Sequence, residues 1–246
     1  MNTNKKIAIK IALTSITLIL IYFVLVNTYY TFFLNSTFAY SHTRLLKRVM
    51  PFICAAIVFL IGKDCLNKKD ATFLKISYLM ILGAEISFTL SKVILAIAFF
   101  GLCQIFLIIR HSAGISNSIK ENKKFLLISG IIIGIVVAVL IATIFYPTLG
   151  TGTLLYSIVI YGIILGISLW IGIANYHIGN FPKKNALLIM IGITLFFISD
   201  FLVGLEIIIG DAYSKNILNL FLWILYIPAI TLIALSGYNF LTNSKP

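Results

Sequence analysis

Long apolar runs recur along this chain, each closed by a short polar break. Eight reach membrane-spanning length: about 7–33, 45–62, 71–91, 93–110, 125–146, 152–176, 185–209 and 216–240. A helix needs roughly 20 apolar residues to cross the ~30 Å hydrocarbon layer. The second run reaches that length when Leu45 and Leu46 are included, and only Ser91-Lys92 separates the third from the fourth, which demands a tight turn. A backbone in lipid must satisfy its own hydrogen bonds, so helices are expected. The alternating short strands of a membrane barrel are absent. The pattern predicts an all-α, polytopic transmembrane helix bundle of eight spans, a single integral membrane domain over 1–246. The first run is longer than the 7–15 residues of a signal-peptide core and lacks a small-x-small cleavage site, so it reads as a span.

Composition agrees. Apolar residues make up 61% of the chain and charged residues 11%, against about a quarter charged in soluble domains. That excludes a soluble enzyme, a disordered tail and a disulfide scaffold. The net charge of +12 would point to nucleic acid in a soluble protein. Here it orients the bundle instead, and no nucleic-acid partner is expected. With eight spans, Arg44, Lys47, Arg48, Lys92 and Lys215 fall on one side and the other 14 of the 19 Lys and Arg on the opposite side, with both termini. The positive-inside rule puts both termini in the cytoplasm. A bacterial cytoplasmic (inner) membrane is the expected location, with the lipid bilayer as the constant partner. Cys54, Cys65 and Cys103 have no CxxC spacing, so neither a disulfide framework nor a zinc site is expected. No metal and no cofactor is implied. Gly130-x-x-x-Gly134 and Gly162-x-x-x-Gly166 read as close-packing signals between helices.

Ionisable groups inside lipid are costly, at ~2.5–3.5 kcal/mol each on insertion scales, and mark function by default. Glu85 and Asp200 lie inside spans, Glu206 nearer a span end, and Asp64, Asp70, Glu121 and Asp211 at or beyond the ends. Asp200 is 16 residues past Lys184, about 24 Å along the helix. Glu85 is 7 residues before Lys92, so both acids fall in the outer half of the membrane. Tyr161 and Tyr226 reach similar depth, with Gln104 nearer mid-span. A polar pocket walled by apolar side chains follows. The plainer reading is that each acid bonds a neighbouring hydroxyl or amide and only holds helices together. A carboxyl group kept from water tends to stay neutral, which suits a proton donor. His42 is expected in the first outer loop, and His177 and His111 at cytoplasmic helix ends. Trp170 and Trp223 are expected as interface or packing residues.

Four stretches together carry a resemblance: LKRVMP at 46–51; LMILGAEISFTLSK followed by FFGLCQIFLIIRH over 79–111; GITLFFISDFLVG at 192–204; and LYIPAITLIALS at 225–236. In order and spacing they resemble the YhhN-like lysoplasmalogenase family of eight-span membrane proteins, across about 45–238. The best piece is Leu195-Phe196-Phe197-Ile198-Ser199-Asp200. Three positions depart. Glu85 stands one residue after the family's Gly-Asp acid, which turns it about 100° around the helix. Ile230 stands at the family's Gln, and His111 falls about two residues late.

The resemblance implies hydrolysis of the vinyl-ether bond of lysoplasmalogens, giving a fatty aldehyde and a glycerophospho-alcohol, with a lysophospholipid as substrate. Vinyl ethers open by protonation at carbon, so the chemistry asks for one protonated acid, one group to handle water, and negative charge near the cation formed. Asp200 and Glu85 are the expected catalytic pair. Tyr161, Tyr226, Ser199, Gln104 and His111 are expected to orient substrate or line the pocket, and Lys47 or Arg48 to contact the lipid phosphate at the outer rim. Two other classes stay open: a solute or ion transporter using the same carboxylates, and a non-catalytic membrane protein on this scaffold. A retinal protein is excluded, because the last two spans hold no lysine.

Overall fold

The computed structural model describes residues 3–33, 38–113, 115 and 119–240. Among these the chain is all-helical, with eight helices long and apolar enough to span a membrane. They are α1 (Thr3–Thr28), continued by a π-helical turn Tyr29–Phe33; α2 (Phe38–Ile61); α3 (Lys68–Thr89); α4 (Val93–His111); α5 (Lys123–Leu140), continued by a π-helical turn Ile141–Phe145 and a last turn Tyr146–Leu149; α6 (Thr153–Ile178); α7 (Lys183–Ile208); and α8 (Ala212–Leu235). The chain is an integral membrane protein.

Local chemistry sets the breaks. Asn67 caps α3 by accepting from the Asp70 N–H at 2.8 Å, and Asp211 caps α8 by accepting from the Ser214 N–H at 2.7 Å. Those Ser214 bonds hold the Asp211 carboxyl below the ordinary aspartate range. The predicted tight turn between α3 and α4 is built on Ser91, which takes a left-handed φ of 58° while the Lys92 N–H bonds the Ser87 carbonyl at 2.9 Å. Two expectations need correction. The last helix ends at Leu235, not 240, because the chain turns at Ser236-Gly237 and Tyr238 forms a β-bridge with Cys65. His42 lies within α2 and not in a loop, since that helix begins at Phe38. Lys245, part of the charge tally, lies outside the described residues.

The interior lies between α2, α3, α4, α6, α7 and α8, with α8 the most buried and paired closely with α7. At that contact Gly192 has no room for a side chain, since a Cβ there would lie 2.8 Å from Ile233 Cγ1 and 3.1 Å from the Ala229 carbonyl oxygen. The α7 and α8 backbones therefore come as near as helices can. The outer helices are α1, against α2 and α8, and α5, which packs chiefly on α6. There Val137 of α5 sits over Gly162 and Gly166, and Trp170 lies over Gly130 with its indole N–H on the Leu126 carbonyl and Ser129 hydroxyl. The first and last described stretches of the chain meet at one end of the bundle. Lys5 lies 3.8 Å from Asp64, whose carbonyl accepts from the Asn239 N–H at 2.9 Å. We call this the terminal end. Cys54, Cys65 and Cys103 are all free thiols.

Candidate functional site

A cavity of about 540 Å³ opens at the end of the bundle opposite the termini, between α2, α3, α7 and α8. Helical periodicity puts the polar residues on its walls. On α8, Ala212, Lys215, Asn219, Trp223 and Tyr226 fall three or four residues apart and line the cavity from mouth to floor. Fourteen residues of helix span about 21 Å. On α7, Asp200, Val203, Glu206 and Ile207 share one face in the same way.

The floor holds both intramembrane acids. Glu85, 4% exposed, is ion-paired with Arg48, whose Nη1 donates to Glu85 Oε2 at 3.0 Å and to the Glu85 carbonyl at 3.0 Å. Asp200, 9% exposed, accepts a hydrogen bond from the Tyr161 hydroxyl and has no ion-pair partner among the described residues. The hydroxyl of Tyr226 is buried beside both acids and interacts with Glu85. The Nε of Arg48 is likewise buried and is unpartnered among the described residues. The cavity thus offers an unused donor next to two carboxyl groups. Leaving a buried polar group unmet costs about 1–3 kcal/mol, a penalty that a polar ligand would relieve.

Aromatic rings hold this floor in place. Phe196 and Trp223 pack edge-on against the Tyr226 ring at 5.6 and 5.5 Å, and Phe100 at 6.2 Å. Lys47 runs along the wall, its Nζ on Asn219 Oδ1 at 2.7 Å and 5.5 Å from the Trp223 ring. Asn219 in turn donates to Glu206 at 3.3 Å. Lys47, Arg48 and Lys215 face Glu85, Asp200 and Glu206, so the cavity is lined by equal numbers of basic and acidic side chains.

The structure thus brings together Asp200, Glu85, Tyr161, Tyr226, Lys47 and Arg48. Lys47 and Arg48 lie inside the wall with protein partners, and the cation at the mouth is Lys215. Of the other expected site residues, Ser199 and His111 stand apart and Gln104 sits behind Tyr161. Ser199 is buried, with its hydroxyl returned to the Phe196 carbonyl of its own helix. Gln104 lies one turn below Phe100, where it interacts with the Tyr161 side chain and accepts from Ser168 at 2.7 Å. His111 belongs to the terminal end, eleven residues or about 16 Å along α4 from Phe100. There it touches Arg110, whose guanidinium makes a bidentate pair with Asp70 at 2.8 and 3.2 Å and donates to Ser236 at 2.8 Å. Neither Asn219 nor Phe100 figures among the expected site residues. A signal for Asn219 exists: positions 215, 219 and 226 recur at helical spacing on one face of a largely apolar helix. Among the described residues no three His, Cys, Asp or Glu side chains converge as a metal ion would need.

An all-α membrane bundle with two differently paired acids in one internal cavity defines the class. A family model described as the YhhN family matches residues 90–237, and the chain belongs to that family. The matched stretch contains Tyr161, Asp200 and Tyr226. Glu85, Arg48 and Lys47 precede it. No curated protein and no solved structure matches the chain.

Proposed function

We propose that the protein is a membrane hydrolase that cleaves the vinyl-ether bond of lysoplasmalogen-type lysolipids to a fatty aldehyde and a glycerophospho-alcohol. One observation carries this reading: two carboxyl groups line one cavity, one paired with a guanidinium and the other with only a tyrosine hydroxyl. Acids in unlike surroundings can divide the acid and base roles.

Asp200 donates its proton to the alkene carbon remote from the ether oxygen. The C=C electron pair makes the new C–H bond and leaves an oxocarbenium ion. The Glu85 carboxylate stabilises that cation and takes a proton from water as it adds to the carbon bearing oxygen. The hemiacetal then collapses. Its hydroxyl returns a proton to Asp200, Glu85 protonates the departing oxygen, and the aldehyde C=O forms. Tyr161 orients Asp200, and the Tyr226 hydroxyl beside Glu85 places the water. The unused Arg48 Nε–H and Lys215 at the mouth serve the phosphate.

The excess of Lys and Arg at the terminal end supports a cytoplasmic location for it. The cavity then opens toward the outer leaflet.

The test is aldehyde release from lysoplasmalogen by purified wild-type protein in heavy water, with the product trapped by reduction. The expected product carries one deuterium on the carbon next to the former carbonyl. Well-folded protein that releases no aldehyde overturns the assignment, and uptake of a labelled solute by proteoliposomes, lost in Asp200→Asn, would favour a transporter.

A further inference from the structure

Beside the charged cavity lies a second, smaller chamber of about 80 Å³ walled by α4, α5, α6 and α7. Its lining is apolar except for Tyr161 and Asp200, and includes Ile97, Ile141, Phe145, Ile158 and Phe201. The two spaces share Phe88, Phe100, Asp200, Val203 and Ile207, so Asp200 is the one ionisable side chain that lines both. One space is therefore suited to a charged group and the other to hydrocarbon, with the carboxyl group at their junction.

The small residues and the π-helical turn shape this chamber. Gly162 lets Ile141 and Val137 pack close to the α6 wall, and the ring of Phe145 lies against Gly204, where a Cβ would come within 2.7 Å of it. The π-helical turn Ile141–Phe145 supplies the outer wall. That wall belongs to α5, which packs chiefly on α6 and has few buried residues. It is the wall best able to move aside for a molecule arriving from the membrane.

We propose that this chamber binds the first carbons of a single hydrocarbon chain, whose polar head occupies the charged cavity. This inference rests on the reading of Asp200 as the reacting acid, because the chamber places the carbons nearest the head group against it. At about 80 Å³ the chamber cannot take a whole chain. The rest lies in the bilayer, so chain length beyond those first carbons has little effect on binding.

The test uses an unreactive probe, a saturated 1-alkyl ether lysophosphocholine with a diazirine on a carbon next to the head group, and wild-type protein in nanodiscs. Light is expected to attach it to the 141–145 and 197–201 stretches. Ile97→Trp, which fills the chamber, is expected to lower labelling at least about tenfold, while Ile97→Leu keeps it. Labelling confined to α2 and α8, or undiminished labelling in Ile97→Trp, overturns the chamber. The wild-type map decides the matter even where Ile97→Trp fails to fold. Correct labelling by a protein that releases no aldehyde sinks the hydrolase reading and leaves the chamber standing. Aldehyde release with labelling elsewhere does the reverse.

Discussion

Asp200→Asn is expected to lose about a hundredfold to ten-thousandfold of the proposed aldehyde-releasing rate, the range a positioned general acid contributes. Asparagine keeps the shape of aspartate, and its carbonyl oxygen can still accept the hydrogen bond from Tyr161. What disappears is the transferable proton. Thermal stability is expected to stay near wild type. The measurement is initial aldehyde release at saturating substrate beside a melting curve of the same sample. A rate within a factor of a few of wild type removes Asp200 from the chemistry. A matching fall in melting temperature would instead make it a structural link between α6 and α7.

The largest stability effect is expected at the opposite end. Arg110 is 1% exposed, and its bidentate partner Asp70 is 6% exposed. Removing one member of a buried ion pair strands the other, at a cost of about 3–5 kcal/mol. Arg110→Leu should sit at the high end, because Ser236 and His111 lose contacts as well. Replacing both members by apolar residues of similar volume should recover most of the loss, since a well-packed apolar pair often matches a buried ion pair. Unfolding of the detergent-solubilised single and double variants measures this. Additive losses would show that the two residues are not coupled. The bundle ends here, where α3, α4 and α8 are tied through Asp70, Arg110 and Ser236, while Asn185 of α7 bonds the Ser236 carbonyl at 2.8 Å.

These two clusters differ in how far the sequence exposes them. The spans are legible because membrane thickness fixes their length and the apolar runs have to match it. Asp200 and Glu85 stand out because a carboxyl group within lipid is costly and rare. Asp70 and Arg110 do not stand out. Each sits at a span end, where a charge costs little, and 40 residues separate them. Arg110 reads as one more orienting charge, yet it is buried and paired. Arg48 is a similar case, since its adjacency to Lys47 points to a rim and only the packing of α2 on α3 turns it toward Glu85. Ser199 shows the converse. It neighbours Asp200 in sequence, but a rotation of about 100° per residue turns its side chain away from the cavity.

The chain contains two tryptophans, and they occupy unlike surroundings. Trp223 lines the charged cavity with Lys47 over its ring, while Trp170 is hydrogen-bonded in the seam between α5 and α6. Indole emission from Trp223 is therefore expected to act as a built-in optical gauge of what fills the cavity, read against a second fluorophore outside it. Exchanging Trp170 for phenylalanine would leave a one-colour sensor whose spectrum follows amphiphile occupancy without any attached dye.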